Sequence, residues 1–363
     1  MSNLHNLVKN LWNRQAFLHL VSFAFIWAVL LTLNLSLSRD IHDYGVNFNL
    51  AKAQNLSERL LAINWLKDPA YFLVQAFSAG VMPLPIFFGI IIASCLALKW
   101  LALRQLVDKP GWIIILPYLC VLSFLHEGTQ IRIAIALSIA LWSLVFWAKE
   151  KYLYAFLLIL TASTFHISVI TFLLPYTIIW LADRFGKVIY VVSVSIGGLL
   201  AFPGVSDFLL VQWGELVHAR YMTYARGAIY RTLNVTGLFQ YFFLFVAMLT
   251  ALVWKYQSPQ NKIEARVHQL AIVSGFLGVA ILIDLRFNSV IASRLADLLL
   301  LPLLISLGIM LSRLYESQKV LCLCIAAMLV GYCLIRGYVT FSPRSKDSLP
   351  TISFIDQSFA KWV

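Results

Sequence analysis

The 363-residue chain is 61% hydrophobic and 12% charged, and its formal net charge is +12 at pH 7. A soluble domain of this length could not bury so much apolar side chain, so we expect an all-α, polytopic integral membrane protein. The apolar stretches are continuous rather than alternating, which favours helices over a β-barrel. The cations are scattered through short segments between these stretches and form no stripe on a soluble face, so no nucleic-acid partner is expected.

Eleven apolar runs, separated by polar breaks, predict about 11 transmembrane helices. In chain order they cover residues 17–37, 85–103, 111–125, 131–148, 152–165, 167–182, 188–202, 236–254, 270–287, 290–311 and 320–336. The first run is longer than the apolar core of a typical signal peptide, and no small-x-small site follows it. We therefore expect it to remain as a signal anchor. Without an internal repeat or a low-complexity linker, residues 1–363 are predicted to form a single transmembrane domain.

Residues 152–182 allow two interpretations, one overlong tilted helix or two short helices that turn at residues 164–166. The positive-inside rule separates them, because lysines concentrate on the cytoplasmic side. With the N-terminus inside and two helices, nine lysines fall in cytoplasmic segments, namely Lys9, Lys99, Lys109, Lys149, Lys151, Lys187, Lys255, Lys262 and Lys319. A merged helix would break this partition. We therefore predict two helices, and long external loops at about 38–70 and 203–235.

The arginines show the opposite bias on this topology. Ten of them lie outside or at outer helix ends, namely Arg39, Arg59, Arg132, Arg220, Arg226, Arg231, Arg286, Arg294, Arg336 and Arg344. Topogenic pressure acts on lysine and arginine alike, so the surplus needs another cause. The planar guanidinium grips phosphate through two parallel hydrogen bonds, which predicts an anionic ligand at the external face. Pairing with an external acid is the alternative for any single arginine.

The predicted outer helix ends carry the strongest site candidates. Arg132 opens the 131–148 run, next to the tetrad His126-Glu127-Gly128-Thr129, which we expect at the membrane surface. A cation at a helix N-terminus forms an anion site, and ionisable groups beside hydrocarbon are usually functional. His166 lies at the same predicted depth, where an imidazole could move a proton or bind a sugar or phosphate. Arg294 opens the 290–311 run, although an ion pair with Asp297, one turn away, would also explain it.

The remaining polar segments give weaker signals. Asp40, His42 and Asp43 in the first external loop are too few and too loosely placed to predict a metal site. Aromatic residues among Arg220, Arg226 and Arg231 in the 203–235 loop are typical of a sugar site, but equally of an interfacial belt. The chain contains no nucleotide-binding or nucleophile-elbow motif, and no cofactor is predicted. All five cysteines lie in or beside apolar runs, so no disulfide framework is indicated.

Four short motifs in chain order resemble the EpsG-like, Wzy-type polysaccharide polymerases of bacterial inner membranes. They are the Asp40 to Tyr44 loop, Gln130-Ile131-Arg132-Ile133-Ala134-Ile135-Ala136, Phe165-His166-Ile167-Ser168, and Ser293-Arg294-Leu295 before a helix that contains Pro302. The resemblance covers most of the chain. Many relatives have a small polar residue and an aromatic residue before the first arginine, whereas this chain has Glu127-Gly128-Thr129-Gln130.

The resemblance implies a GT-C-like, metal-independent glycosyltransferase whose active site faces the periplasm. It would join polyprenyl-diphosphate-linked oligosaccharide repeats into O-antigen or exopolysaccharide, among membrane lipids and with a flippase and a chain-length regulator as expected partners. Arg132 and Arg294 would hold the diphosphate, and His166 would orient or deprotonate the acceptor, with Glu127 as the competing base. Further predicted substrate contacts are Arg286, Arg220, Arg226, Arg231, Asp43 and Tyr44.

Two other classes of function are the alternatives. A transporter or flippase for the same lipid-linked sugar would place ionisable residues near the bilayer midplane and often carries inverted repeats. Here the acids avoid the centres of the predicted helices and no repeat is visible. A membrane acyltransferase that modifies the glycan would use a catalytic histidine but would leave the arginine surplus unexplained.

Overall fold

The computed structural model describes residues 14–37, 41–63, 65, 68–107, 112–200, 261–284 and 289–341. The helices are α1 (Arg14–Leu37), α2 (Ile41–Ala53), α3 (Leu56–Leu61), α4 (Pro69–Ala79), α5 (Leu84–Leu103), α6 (Leu116–Tyr118), α7 (Phe124–Thr129), α8 (Ile131–Ala148), α9 (Tyr152–Phe165), α10 (Leu173–Phe185), α11 (Val188–Leu200), α12 (Lys262–Asp284), α13 (Ser289–Ser317) and α14 (Lys319–Phe341). A 3₁₀ turn at Trp112–Ile114 precedes α6, and a second at Ile167–Phe172 precedes α10.

The described helices confirm an all-α, polytopic membrane protein. Five of the described stretches are long and apolar enough to cross a bilayer, namely Leu84–Leu103, Ile131–Ala148, Ile167–Phe185, Lys262–Ile283 and Ala292–Ser317. Three shorter apolar helices occupy Val21–Leu35, Tyr152–Phe165 and Lys319–Leu334. Large apolar side chains such as Leu153 and Leu157 of α9 are exposed, as expected for a surface that faces lipid. The predicted run at 236–254 lies outside the described residues.

The segment 152–185 forms two helices, as predicted. His166 ends α9 in an extended conformation, with φ −158° and ψ 111°, which interrupts the helical hydrogen bonds. The chain then re-enters a helical path through the 3₁₀ turn before α10. His166 therefore lies at a break between two helices.

The predicted run at 111–125 is irregular. A π-helical turn at Leu119–Ser123 joins α6 to α7, and the helix continues to Thr129 before it breaks at Gln130. The change of register follows Pro117, which has no backbone N–H to donate. The tetrad 126–129 is buried within the protein, and its predicted depth at the membrane surface stays a prediction.

Helix α13 forms the centre of the larger hydrophobic core. Its apolar side chains between Leu298 and Leu311 are almost completely buried, against α12, α14 and the turn at Trp112–Ile114. Gly308 lies directly against the backbone of Ile114, because a Cβ atom built there would overlap the carbonyl oxygen of Ile114. A second core joins α1, α2, α4, α5 and the start of α8, and this second core supports the polar cluster described below.

Gly308→Ala is expected to lower the free energy of unfolding by about 3 kcal/mol, because the clash is with backbone that has no room to retreat. Gly275→Ala and Gly331→Ala are matched controls in α12 and α14, since an added Cβ meets nothing within 4 Å at either position. They should be neutral or slightly stabilising. Thermal unfolding of the purified variants in detergent measures the difference. A Gly308 variant as stable as the two controls would contradict the close approach.

Candidate functional site

Arg132, the second residue of α8, is held by a carboxylate and two tyrosines. Its Nη1 donates to Oδ2 of Asp68 at 2.6 Å, and its Nε donates to the hydroxyl of Tyr44 at 3.4 Å. The guanidinium carbon lies 5.7 Å from the ring centroid of Tyr44 and 5.9 Å from that of Tyr71. Arg132 remains 26% exposed. A guanidinium has five N–H donors, so the described contacts leave donors for a ligand.

Asp68 precedes α4 and is only 3% exposed. Its backbone has φ 51° and ψ 48°, the left-handed conformation, and its side chain makes no capping hydrogen bond to α4. The carboxylate turns instead toward Arg132 on one side and His166 on the other, where Oδ1 lies 3.6 Å from Nδ1. Burial raises the pKa of Asp68, but the neighbouring His166 and Arg132 lower it more, so the pKa lies below its ordinary value. The carboxylate therefore stays ionised at neutral pH.

His166 faces Asp68 from the end of α9, which packs against α4. It is 14% exposed, and neither ring nitrogen has a hydrogen-bond partner among the described residues. The distance from Nδ1 to Asp68 suits an ion pair when the ring is protonated, but it is too long for a hydrogen bond. Nε2 is therefore a buried nitrogen that has no partner within the described part of the chain.

Together Tyr44, Asp68, Tyr71, Arg132 and His166 form what we call the Asp68 cluster. The sequence argument placed Arg132 and His166 at one depth, and the structure brings them together through Asp68 and adds Tyr44. Sequence reasoning missed Asp68 and Tyr71. A signal for Asp68 did exist, because an arginine at a membrane border needs a counter-ion.

Glu127 occupies a different environment from the one predicted. Its carboxylate, 0% exposed, accepts from Lys99 Nζ at 2.6 Å and from the Tyr118 hydroxyl at 2.9 Å. The same Nζ donates to Ser138 Oγ at 2.7 Å and to the Ala134 carbonyl at 3.0 Å, which uses all three of its donors. This placement argues against Glu127 as the base, because its oxygens are committed to an interior ion pair.

The same pair corrects two further expectations from the sequence. Lys99 was assigned to a cytoplasmic loop, but it lies within α5 and is 1% exposed. Glu127 was expected at the membrane surface, but its side chain is 0% exposed and is paired with Lys99 inside the helix bundle. The physical reason is that each charge supplies the other's counter-ion, which the sequence alone does not reveal.

The other predicted site residues make no described hydrogen bond or ion pair with the Asp68 cluster, or lie outside the described residues. Arg294 is exposed in the second turn of α13, with no hydrogen bond or ion pair to the described part of the chain. Asp43 is exposed in the first turn of α2, immediately before Tyr44. Arg286, Arg220, Arg226 and Arg231 lie outside the described ranges, so their roles stay predictions.

Several other arginines already have partners. Arg59 donates to the carbonyls of Gln54 and Ala76, which secures the end of α4. Arg266, near the start of α12, pairs with Asp183 and Glu150. Arg313, near the end of α13, pairs with Glu264. The Arg313 pair joins the start of α12 to the end of α13, which leaves Arg294 at the opposite end of that helical hairpin. Arg132, at 26% exposed, is more accessible than the paired Arg266 at 15% and Arg313 at 18%.

A small apolar crevice opens between α1, α5 and the segment before α7. It is lined by Phe23, Ile26, Leu96, Trp100, Ile115 and Leu119, so it contains none of Arg132, His166 and Arg294. Across the described ranges, no group of three or more His, Cys, Asp or Glu side chains is placed to hold a metal ion. Metal independence stays a prediction.

In a comparison with protein families, the model described as the EpsG family matches residues 17–350. No curated protein and no solved structure is significantly similar to the chain. The matched region includes all five residues of the Asp68 cluster and nearly the whole chain. EpsG is a Wzy-like polymerase family. This membrane protein therefore belongs to the EpsG family.

Proposed function

We propose that the protein polymerises polyprenyl-diphosphate-linked oligosaccharide repeats into O-antigen or exopolysaccharide at the periplasmic face of the inner membrane. The observation that carries this proposal is the bridge that Asp68 makes between Arg132 and His166. It joins a cation suited to phosphate with an imidazole suited to a hydroxyl, where two helices end. Glycosyl transfer from a diphosphate needs both groups at one place.

In the proposed reaction, the acceptor hydroxyl attacks the anomeric carbon that bears the diphosphate. The new glycosidic C–O bond forms as the bond from that carbon to the diphosphate oxygen breaks, and polyprenyl diphosphate leaves with the electron pair. Nε2 of His166 takes the hydroxyl proton, while Arg132 stabilises the negative charge that develops on the leaving group. Asp68 lies beside Nδ1, where its carboxylate can orient the ring.

The tyrosines support this role for Arg132. Tyr44 and Tyr71 flank the guanidinium and fix its plane, so the remaining N–H groups point in a defined direction. We propose Arg294 as a second phosphate contact, with Arg286 and one of Arg220, Arg226 or Arg231 in support. Asp43, exposed one residue before Tyr44, is a proposed sugar contact.

A transporter would be favoured by ionisable groups that a substrate could reach inside the bundle. The interior pair of Lys99 and Glu127 does not meet this condition, because Lys99 has no donor to spare and both carboxylate oxygens accept from Tyr118. The pair has the character of a structural contact, so it does not favour transport over polymerisation.

The direct test uses purified protein in nanodiscs with lipid-diphosphate-linked repeats. Gel separation should show a ladder of products that grow by whole repeats, with release of polyprenyl diphosphate. A protein that moves the lipid-linked repeat across the bilayer but leaves it at one repeat would be a flippase. Acyl transfer to the repeat, without growth, would identify an acyltransferase. Either result would refute the proposed polymerase.

The proposed orientation places the Asp68 cluster outside. Lys52→Cys on α2 and Lys151→Cys between α8 and α9 are matched probes, because both positions carry an exposed lysine. With the exposed Cys324 replaced by serine, a membrane-impermeant maleimide should label position 52 in intact spheroplasts. Position 151 should react only after permeabilisation. The reverse pattern would place the cluster on the cytoplasmic side and refute the periplasmic site.

A further inference from the structure

The anion-binding side of Arg132 already carries an anion from the protein itself. Asp68 Oδ2 lies 2.6 Å from Nη1, and this carboxylate is almost completely buried. A diphosphate that binds the same guanidinium must share it with the carboxylate or replace the carboxylate. Two anions on one side of a partly buried cation repel each other strongly, so replacement is favoured.

The conformation of Asp68 indicates that its carboxylate is held in place by these partners. Aspartate is among the preferred residues for capping a helix N-terminus, yet Asp68 leaves α4 uncapped. Its backbone also adopts the left-handed conformation, which costs energy for a residue with a side chain. Both features place the carboxylate between Arg132 and His166 at the expense of local stability.

The two sides of the bridge are unequal. Oδ2 makes a short, charge-assisted hydrogen bond to Arg132, whereas Oδ1 remains 3.6 Å from Nδ1 of His166. If Arg132 were taken by another anion, a small rotation of the carboxylate would bring it within hydrogen-bond distance of His166. A carboxylate hydrogen-bonded to Nδ1 fixes the tautomer with an unprotonated Nε2 and makes that nitrogen a better base.

We propose that Asp68 is an exchangeable counter-ion that couples substrate binding to activation of the base. The substrate's diphosphate displaces the carboxylate from Arg132, and the released carboxylate closes onto His166. This inference rests on the proposed function, in which Arg132 binds the diphosphate and His166 accepts the proton. Asp68 is then a positioning residue, and His166 becomes fully basic only when a donor occupies the site.

The test replaces the carboxylate with a neutral group of the same shape. Asn tolerates the left-handed conformation, so Asp68→Asn should fold, and Asp68→Gly relieves the same backbone strain if the Asn variant does not. Glu58→Gln is the matched control, because it removes an exposed carboxylate on α3 that is not part of the Asp68 cluster, while Gln can keep the hydrogen bond from Asn55 N. Calorimetry with inorganic diphosphate measures binding, and the repeat-ladder assay measures kcat and KM.

Asp68→Asn is expected to bind inorganic diphosphate about tenfold tighter than the wild type, because the competing charge is gone. Its KM for the lipid-linked repeat should fall, while its kcat should fall about tenfold or more, because His166 loses its partner. A purely structural role would worsen both constants. Equal diphosphate affinity in the wild type and Asp68→Asn, or an equal gain in Glu58→Gln, would overturn the exchange.

The same measurements separate this inference from the proposed function. A ladder without any change of diphosphate affinity in Asp68→Asn would refute the exchange and leave the polymerase standing. Tighter diphosphate binding in Asp68→Asn, without a ladder from any variant, would refute the polymerase and leave the exchange of the carboxylate standing. Binding is measured both in detergent and in nanodiscs of anionic phospholipid. An equal affinity for inorganic diphosphate in detergent and in nanodiscs supports a site that is specific for the diphosphate. A loss of that affinity in nanodiscs would assign the site to lipid headgroups and overturn the substrate assignment.

Discussion

Arg132→Lys is expected to lower the rate of polymerisation by about 100-fold or more, although it preserves the charge. Lysine has a single ammonium group, so it cannot donate two parallel hydrogen bonds to a phosphate while it also holds Asp68. It also loses the flat surface that lies against Tyr44 and Tyr71. Removal of one well-placed donor to a developing negative charge typically costs about 100- to 1,000-fold in rate. Initial rates of ladder growth, at matched amounts of folded protein, measure the loss.

Arg184→Lys is the control for this experiment. Arg184 lies at the end of α10 beside Trp180, away from the Asp68 cluster, and makes its own contacts with aromatic rings. Its replacement should leave the rate within about twofold, because exposed pairs of this kind contribute little. If Arg132→Lys polymerised as fast as Arg184→Lys, Arg132 would be an anchor at the membrane border, and the proposed phosphate contact would be wrong.

The sequence predicted the positions of the long helices well. The runs at 131–148 and 152–165 coincide with α8 and α9, because polar or charged residues interrupt the apolar sequence at each end. Hydropathy did not predict the irregular path from Trp112 to Thr129. A π-helical turn and a regular α-helix have similar composition, and the difference between them lies in which carbonyl accepts each N–H.

The candidate site was predictable only in part, for a related reason. Arg132 and His166 could be predicted as site residues because they lie at helix ends, and hydropathy predicts where helices end. Asp68 and Tyr71 join them only because α4 packs against α2 and α9, and such tertiary contacts leave no local pattern. Lys99 and Glu127 were assigned to opposite surfaces because the rules for topology treat each charge singly. Because the two residues pair inside the bundle, neither charge is evidence for a membrane surface.

Lys99→Met is expected to lower the free energy of unfolding by about 3–5 kcal/mol, since it leaves the Glu127 carboxylate buried beside an apolar group. Lys151→Met is the control, because Lys151 is exposed between α8 and α9. The double variant Lys99→Met/Glu127→Leu should recover most of the loss, because replacing both ions of a buried pair with apolar side chains is often neutral. Denaturant unfolding in detergent measures all three. A Lys99→Met variant as stable as Lys151→Met would contradict the buried pair.

The activity of the double variant also decides what Glu127 does. Ser138, which accepts a hydrogen bond from Lys99, lies six residues after Arg132 in α8. The contact of the Lys99–Glu127 pair with α8 is therefore about 9 Å from Arg132 along the helix axis. Glu127 has no described contact with Arg132 or His166, and its oxygens are engaged elsewhere. A double variant that folds should therefore keep most of its polymerisation, since the chemistry uses neither side chain. If it folds and yet produces no ladder, Glu127 takes part in the reaction after all, and the assignment of the base to His166 is wrong.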